Sequence, residues 1–147
     1  MCCLFGFIDY NHNLSGKQKN RLLRSLASAA EERGTDAAGI AYHAGGKLHI
    51  MKKAKPAHVL RFRVPAETSV VMGHTRYATQ GDAKKAYNAH PFQGQIGNKK
   101  FALAHNGVLL NDRLLQQAED LPKTHMALSR FMRKNVCRAR LNEVSRQ

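Results

Sequence analysis

The sequence has no tryptophan, only three cysteines, and 10 acidic residues against 24 lysines and arginines. Each scarcity excludes something. Two of the cysteines, Cys2 and Cys3, are adjacent, and the third is Cys137. An adjacent pair within an odd count does not point to a disulfide framework, so a reducing, cytoplasmic setting is expected. No C-x-x-C pair exists, which leaves a zinc site without support. No apolar run approaches the roughly 18 residues needed to span a bilayer. The start, Met1 to Tyr10, is apolar, but no basic segment precedes it and no small-residue cleavage site closes it, so no secretory signal is read. The shortage of acids leaves a formal net charge of +14. A basic, solvated surface explains that charge most simply. Nucleic-acid binding has only the charge behind it, because the basic end of the chain carries a single ring, Phe131.

What is present reads as one domain with an α+β pattern. At 147 residues the chain can bury a core without staples. Leu4 to Tyr10 reads as a buried strand closed by Asn11, His12 and Asn13. Ser15-Gly-Lys-Gln18 matches a capping box. Leu22, Leu23, Leu26, Ala29 and Ala30 follow at helical spacing, with Gly34 placed to stop the helix. Ala37–Ala44 and Leu48–Lys53 read as strands around a Gly45-Gly46 hairpin turn. Ser69–Gly73 and Lys100–His105 are two more short apolar runs. Asp112 is expected to cap a second helix through Leu114, Leu115 and Ala118. Strands with few intervening helices favour α+β over alternating β-α units.

The chemistry begins at Cys2. A thiol beside an initiator methionine becomes the first residue once Met1 is removed, and an α-amino group has a pKa of about 7.7–8.0. Nucleophile and general base then sit on one residue. On position alone, an ordinary buried thiol is the simpler reading. Three segments supply what such a nucleophile needs. Arg33-Gly-Thr-Asp-Ala-Ala-Gly39 is a glycine-flanked turn with opposite charges close together. Gly73-His-Thr-Arg-Tyr-Ala-Thr-Gln-Gly81 leaves a strand as a polar loop in which Arg76 can grip a carboxylate bidentately. His105-Asn106-Gly107 ends another strand, where an Asn amide and the following Gly N–H can form an oxyanion hole. Singly, each has a plain reading as well: a surface arginine, or an Asn-Gly turn.

Together and in order, these segments resemble the class II glutamine amidotransferases. Met1-Cys2 followed by a short apolar strand, Arg33 to Gly39 (save Ala37 for the family's Ser), Gly73 to Gly81, Asn88-Ala89-His90-Pro91 and His105-Asn106-Gly107 match that family's pattern, over roughly residues 1–121. The resemblance implies a four-layer αββα N-terminal-nucleophile hydrolase sandwich that releases ammonia from glutamine. It implies Cys2 as nucleophile, with Asn106 and Gly107 as the oxyanion hole. It places Arg76, Thr79, Gln80 and Gly107 on the substrate, with Arg33, His74 and His90 in support. His74, His90 and His105 also have a plain reading as structural hydrogen-bonding residues. Glutamine is the implied substrate, no metal or organic cofactor is implied, and a synthase partner or domain outside this chain would take the ammonia.

Two departures stand out. The family has Gly after the nucleophile, and here Cys3 follows. The family also supplies an acid for the substrate amino group beyond residue 121, but no acid occurs between Asp120 and Glu143. Residues 122–147 carry seven cations against Glu143 alone. They read as a divergent basic tail, from a truncation or frameshift, and the sandwich is expected to be incomplete at its C-terminus. From this follows an expectation of marginal stability and little turnover, with a catalytically inactive fragment or regulatory binding module as the alternative function.

Overall fold

The computed structural model describes residues 2–78 and 82–107, together with the single positions 114 and 117. Of the second helix expected after Asp112 only Leu114 and Gln117 are described, both in helical conformation, and the basic tail lies outside the described residues. Six strands and two α-helices make up the described part. They are β1 (Cys3–Ile8), α1 (Gly16–Glu31), β2 (Ala37–Ala44), β3 (Lys47–Lys53), α2 (Ala57–Leu60), β4 (Val70–Arg76), β5 (Phe92–Ile96) and β6 (Lys99–Leu103). The first four strands in space run β1-β4-β2-β3, all antiparallel, and β5 and β6 form a separate antiparallel pair.

Helix α1 begins as its sequence dictates. Ser15 is the N-cap, its hydroxyl accepting from the Gln18 N–H while Gln18 Oε1 accepts from the Ser15 N–H at 2.9 Å. Two donors that the helix itself cannot satisfy are thereby paired. The buried face is Lys19, Leu23, Ala27 and Ala30. Leu22, at the edge of the expected apolar stripe, is instead 36% exposed. The helix ends at Glu31, before Gly34, and Gly34 is not in the left-handed conformation of a helix terminator. Its need for glycine is different. A Cβ there would lie 2.5 Å from the Arg76 carbonyl carbon and 2.7 Å from the Tyr77 nitrogen. The missing side chain lets the turn after α1 press against the end of β4.

The strands alternate in the manner of a sheet with two different faces. One face meets the helices. Leu23, Ala27, Ala57, Phe62 and Val64 pack there with Ala38, Ile40 and Val71. Fully burying side chains the size of Leu, Ile or Phe contributes about 1.5–3 kcal/mol each. The opposite face meets the start of β5. The carbonyl of His90 lies against Gly39, and the Lys52 ammonium sits 4.3 Å from the Phe92 ring centroid. The described layers are therefore helix, sheet and sheet. β1 is not the fully buried strand its apolar sequence suggests. It is an edge strand whose alternate residues Leu4 and Ile8 are exposed, 46% and 56%.

Polar side chains of α1 hold the long connection into β4. Asn20 brackets Val64, accepting from its N–H at 2.8 Å and donating to its carbonyl at 2.9 Å. Lys19, fully buried, pairs with Asp9 at 3.1 Å and donates to the carbonyls of Ala66 and Thr68 at 2.7 and 2.8 Å. Thr75, inside β4, donates from its hydroxyl to the Ala30 carbonyl at 2.7 Å. Sequence patterning read α1 as an apolar stripe and gave no sign that three polar side chains fix the strand carrying Arg76.

Candidate active site

The ends of three strands converge where the sequence motifs lie. The β1–β4 ladder starts at the pair Cys3↔Thr75, and the β2–β4 ladder starts at Ala37↔Arg76. One step beyond the first ladder, Cys2 falls beside Arg76. By strand alternation Cys2 shares a face with Leu4, and Arg76 shares that face with His74 and Gly39, the side covered by the His90 segment. The register alone thus brings the candidate nucleophile and the candidate carboxylate binder together.

The Cys2 thiol donates to the Tyr77 carbonyl at 3.6 Å, and Cys2 is half-buried. Arg76 is only 2% exposed, which excludes the solvated surface arginine that its motif alone would also have allowed. A buried guanidinium requires acceptors. One of them is the Asp82 carbonyl, 3.3 Å from Nη1, and the Asn88 amide donates to the same oxygen at 3.2 Å. The segment around Asp82 is thereby tied to both motifs.

His74 is completely buried and His90 nearly so. Their rings meet edge to face with centroids 4.5 Å apart, and Nδ1 of His90 lies 3.3 Å from Nε2 of His74. One of these nitrogens must donate and the other accept, so the two rings cannot both be doubly protonated. His90 also packs edge to face on Phe92, and the His90–Pro91 peptide is cis. This cluster joins the two sheets behind Arg76, which agrees with a structural reading of both histidines.

Lys52, which the sequence did not single out, completes the joint. Its ammonium donates to the Ala89 carbonyl at 2.6 Å, and burial pushes its pKa down to about 8 from 10.5. A lysine depressed in the folded state carries fewer protons there than when unfolded, between roughly pH 8 and 10.5. Folding stability should therefore gain a rising contribution across that window. The difference between wild-type and Lys52→Met melting temperatures, followed from pH 7 to 10.5, should show that rise. A flat difference would mean that Lys52 titrates as an ordinary surface amine.

Asn106 and Gly107 lie three and four residues beyond the end of β6 at Leu103 and are exposed. Among the described residues no hydrogen bond joins either of them to Cys2. Arg33 is exposed in the turn after α1, its N–H bonded to the Ala30 carbonyl at 3.2 Å. Thr79 and Gln80 lie outside the described residues. No group of three or more His, Cys, Asp or Glu side chains suited to a metal occurs among the described residues. No helix among them is long and apolar enough to cross a membrane.

The half-buried thiol of the first strand, the buried arginine beside it and the Asn-Gly beyond β6 all lie within the span that one family's model matches. The model of the class II glutamine amidotransferases matches residues 1–126, and the chain belongs to that family. The activity of that domain family is hydrolysis of the glutamine side-chain amide to ammonia. Similar proteins include glutamine–fructose-6-phosphate aminotransferase [isomerizing] of Geobacillus kaustophilus, 39% identical over 119 residues, which cover 80% of this chain and 18% of that protein. The enzyme of the same name from Bacillus cereus is 40% identical over 121 residues, with the same coverage. That of Listeria innocua is 35% identical over 131 residues, covering 88% of this chain and 20% of the relative. The chain spans about a fifth of the length of these relatives.

Proposed function

We propose that Cys2, freed by removal of Met1, is the nucleophile of a glutaminase and that Arg76 holds the substrate's α-carboxylate. The observation that carries this reading is the strand register, which sets Cys2 beside the buried Arg76 on the face toward the second sheet. In the proposed cycle the α-amino group of Cys2 takes the thiol proton, and sulfur attacks the side-chain amide carbon of glutamine. The tetrahedral oxyanion is held by the Asn106 side-chain amide and the Gly107 N–H. The α-ammonium returns its proton to the leaving nitrogen, ammonia departs, and a γ-glutamyl thioester remains. Water, activated by the same amine, then releases glutamate and restores the thiol. Thr79 and Gln80 assist Arg76 at the carboxylate, and Arg33 orders the chain near the nucleophile. No metal or cofactor takes part in any step.

The ammonia is consumed by an acceptor on a synthase domain or subunit beyond this chain. The relatives' names, which specify fructose 6-phosphate, favour a phosphorylated sugar. The layers of the complete domain form a four-layer αββα sandwich, to which the helix–sheet–sheet order of the described residues corresponds. We assign the amidotransferase domain to residues 1–121 and the basic segment 122–147 to a separate tail. Ammonia release from glutamine, measured beside an intact mass that lacks Met1, tests the reading. A chain that keeps Met1 and still turns over glutamine would refute the α-amine as base.

Asn106 should act on the transition state. Removing one oxyanion donor lowers kcat by about 100- to 1000-fold. Asn106→Ala should therefore depress kcat while KM for glutamine moves little. A normal kcat with a raised KM would place Asn106 in ground-state binding instead.

A further inference from the structure

Asp36 lies in the turn before β2 and faces the exit of β4. Its N–H donates to the Arg76 carbonyl at 3.0 Å, and its carboxylate Oδ2 accepts from the Ala78 N–H at 2.7 Å. Between these two contacts lies the peptide group joining Tyr77 to Ala78. One end of that group is the carbonyl to which the Cys2 thiol donates, and the other end is the N–H held by Asp36. The two groups are rigidly linked, because the peptide unit is planar. If the plane rotated, the carboxylate would lose its donor and the thiol its acceptor together.

We propose that Asp36 is a positioning residue for the nucleophile: by gripping the Ala78 N–H it fixes the peptide plane whose carbonyl holds the Cys2 thiol. The proposal rests on Cys2 being the nucleophile. The grip is a charge-assisted hydrogen bond, stronger than a neutral one. Hydrogen bonds at the two ends of one peptide group also polarise each other. Close approach is built in, since Gly34, two residues before Asp36, has no side chain to separate this turn from Arg76 and Tyr77. Asp36 does not touch the thiol, and its bond to the Arg76 carbonyl is made by the main chain just before β2, so that bond does not depend on the side chain.

The test compares Asp36→Ala, which removes the acceptor, with Asp36→Asn, which keeps an acceptor oxygen in nearly the same place. Misplacing a reacting group by about 1 Å can cost on the order of 100-fold in rate. Asp36→Ala should lower kcat by about 10- to 100-fold with KM for glutamine changed less than about threefold. Asp36→Asn should recover most of the loss. A second readout needs no turnover: the ratio of iodoacetamide alkylation at Cys2 to that at Cys3, in the folded protein. Asp36→Ala should change this ratio and Asp36→Asn should leave it near wild type, because Cys3 donates elsewhere, to the Leu4 carbonyl. A wild-type chain inert toward glutamine would refute the proposed function, while the alkylation ratio would still decide the role of Asp36. An unchanged ratio in Asp36→Ala, or an Asp36→Asn variant as impaired as Asp36→Ala, would overturn the positioning role.

Discussion

Replacing Cys2 by alanine should abolish ammonia release, with a loss in kcat on the order of 10⁶-fold, the scale seen when a hydrolase loses its nucleophile. The α-amine, Arg76 and Asn106 all remain in such a variant, so what is lost is covalent chemistry alone. A glutamine-mimicking diazo-ketone should add once to the wild-type chain, at Cys2, and not at all to Cys2→Ala. Cys3 is the stringent control. It is equally half-buried and next in sequence, but it points to the opposite face of β1 by strand alternation. An adduct that persists on Cys3 in the variant would show that proximity to the chain start, and not the face shared with Arg76, selects the thiol, and one on Cys137 would show that neither does.

The largest effect on stability is expected at Lys19. Its ammonium is fully buried and carries three contacts, to Asp9, Ala66 and Thr68. Lys19→Met keeps most of the length of the side chain but strands the buried Asp9 carboxylate and the carbonyls of Ala66 and Thr68. Breaking a buried pair by removing one partner costs about 3–5 kcal/mol. Small domains have a total stability of about 5–15 kcal/mol, so the variant should melt many degrees lower or fail to fold at 37 °C. Acid should expose the same pair. Burial would raise the Asp9 carboxyl, but the Lys19 ammonium and the N–H groups of Leu14 and Asn13 outweigh it and hold it below its ordinary value of 3.8. The pair's stabilisation is thus present above that value and is lost as pH falls through the folded-state one. Denaturant melts between pH 2 and 6 should lose part of their acid slope in Lys19→Met. A variant within about 1 kcal/mol of wild type would mean that the two carbonyls and Asp9 find water as readily as lysine.

The sequence made the local features legible where one residue type has one physical job. Ser15 and Gln18 announced the start of α1, and Gly45-Gly46 announced the hairpin, since both adopt positive φ, 55° and 71°. Arg76 was legible as a candidate ligand, but its burial was not, because burial depends on the strands beside it. The same limit hid β5, whose Phe-Gln-Gly-Gln-Ile stretch is too short and too polar to read as a strand. Long-range polar contacts left no local trace at all. Lys19 and Lys52 each look like solvated cations in a chain with many, and only the tertiary structure turns one into a buried tie and the other into a clasp on the Ala89 carbonyl. Asp36 lay inside a recognised motif, yet its partner Ala78 is 42 residues away.

The hairpin tip gives this chain a practical handle. Affinity tags are usually placed at the N-terminus, which in this proposed mechanism would block the amine that serves as base. Gly45 and Gly46 offer another place. The space around them is open, nothing lying within 4 Å of where a Cβ would stand, and because both glycines hold positive φ an insertion belongs between them and not in place of either. β2 begins at the Arg76 end of the sheet and runs eight residues to the turn, a distance of roughly 25 Å along an extended strand. A short reporter peptide or a fluorophore-bearing cysteine inserted there would ride on the end of the sheet remote from Cys2. Exposed turns of this kind are where proteins best tolerate insertions.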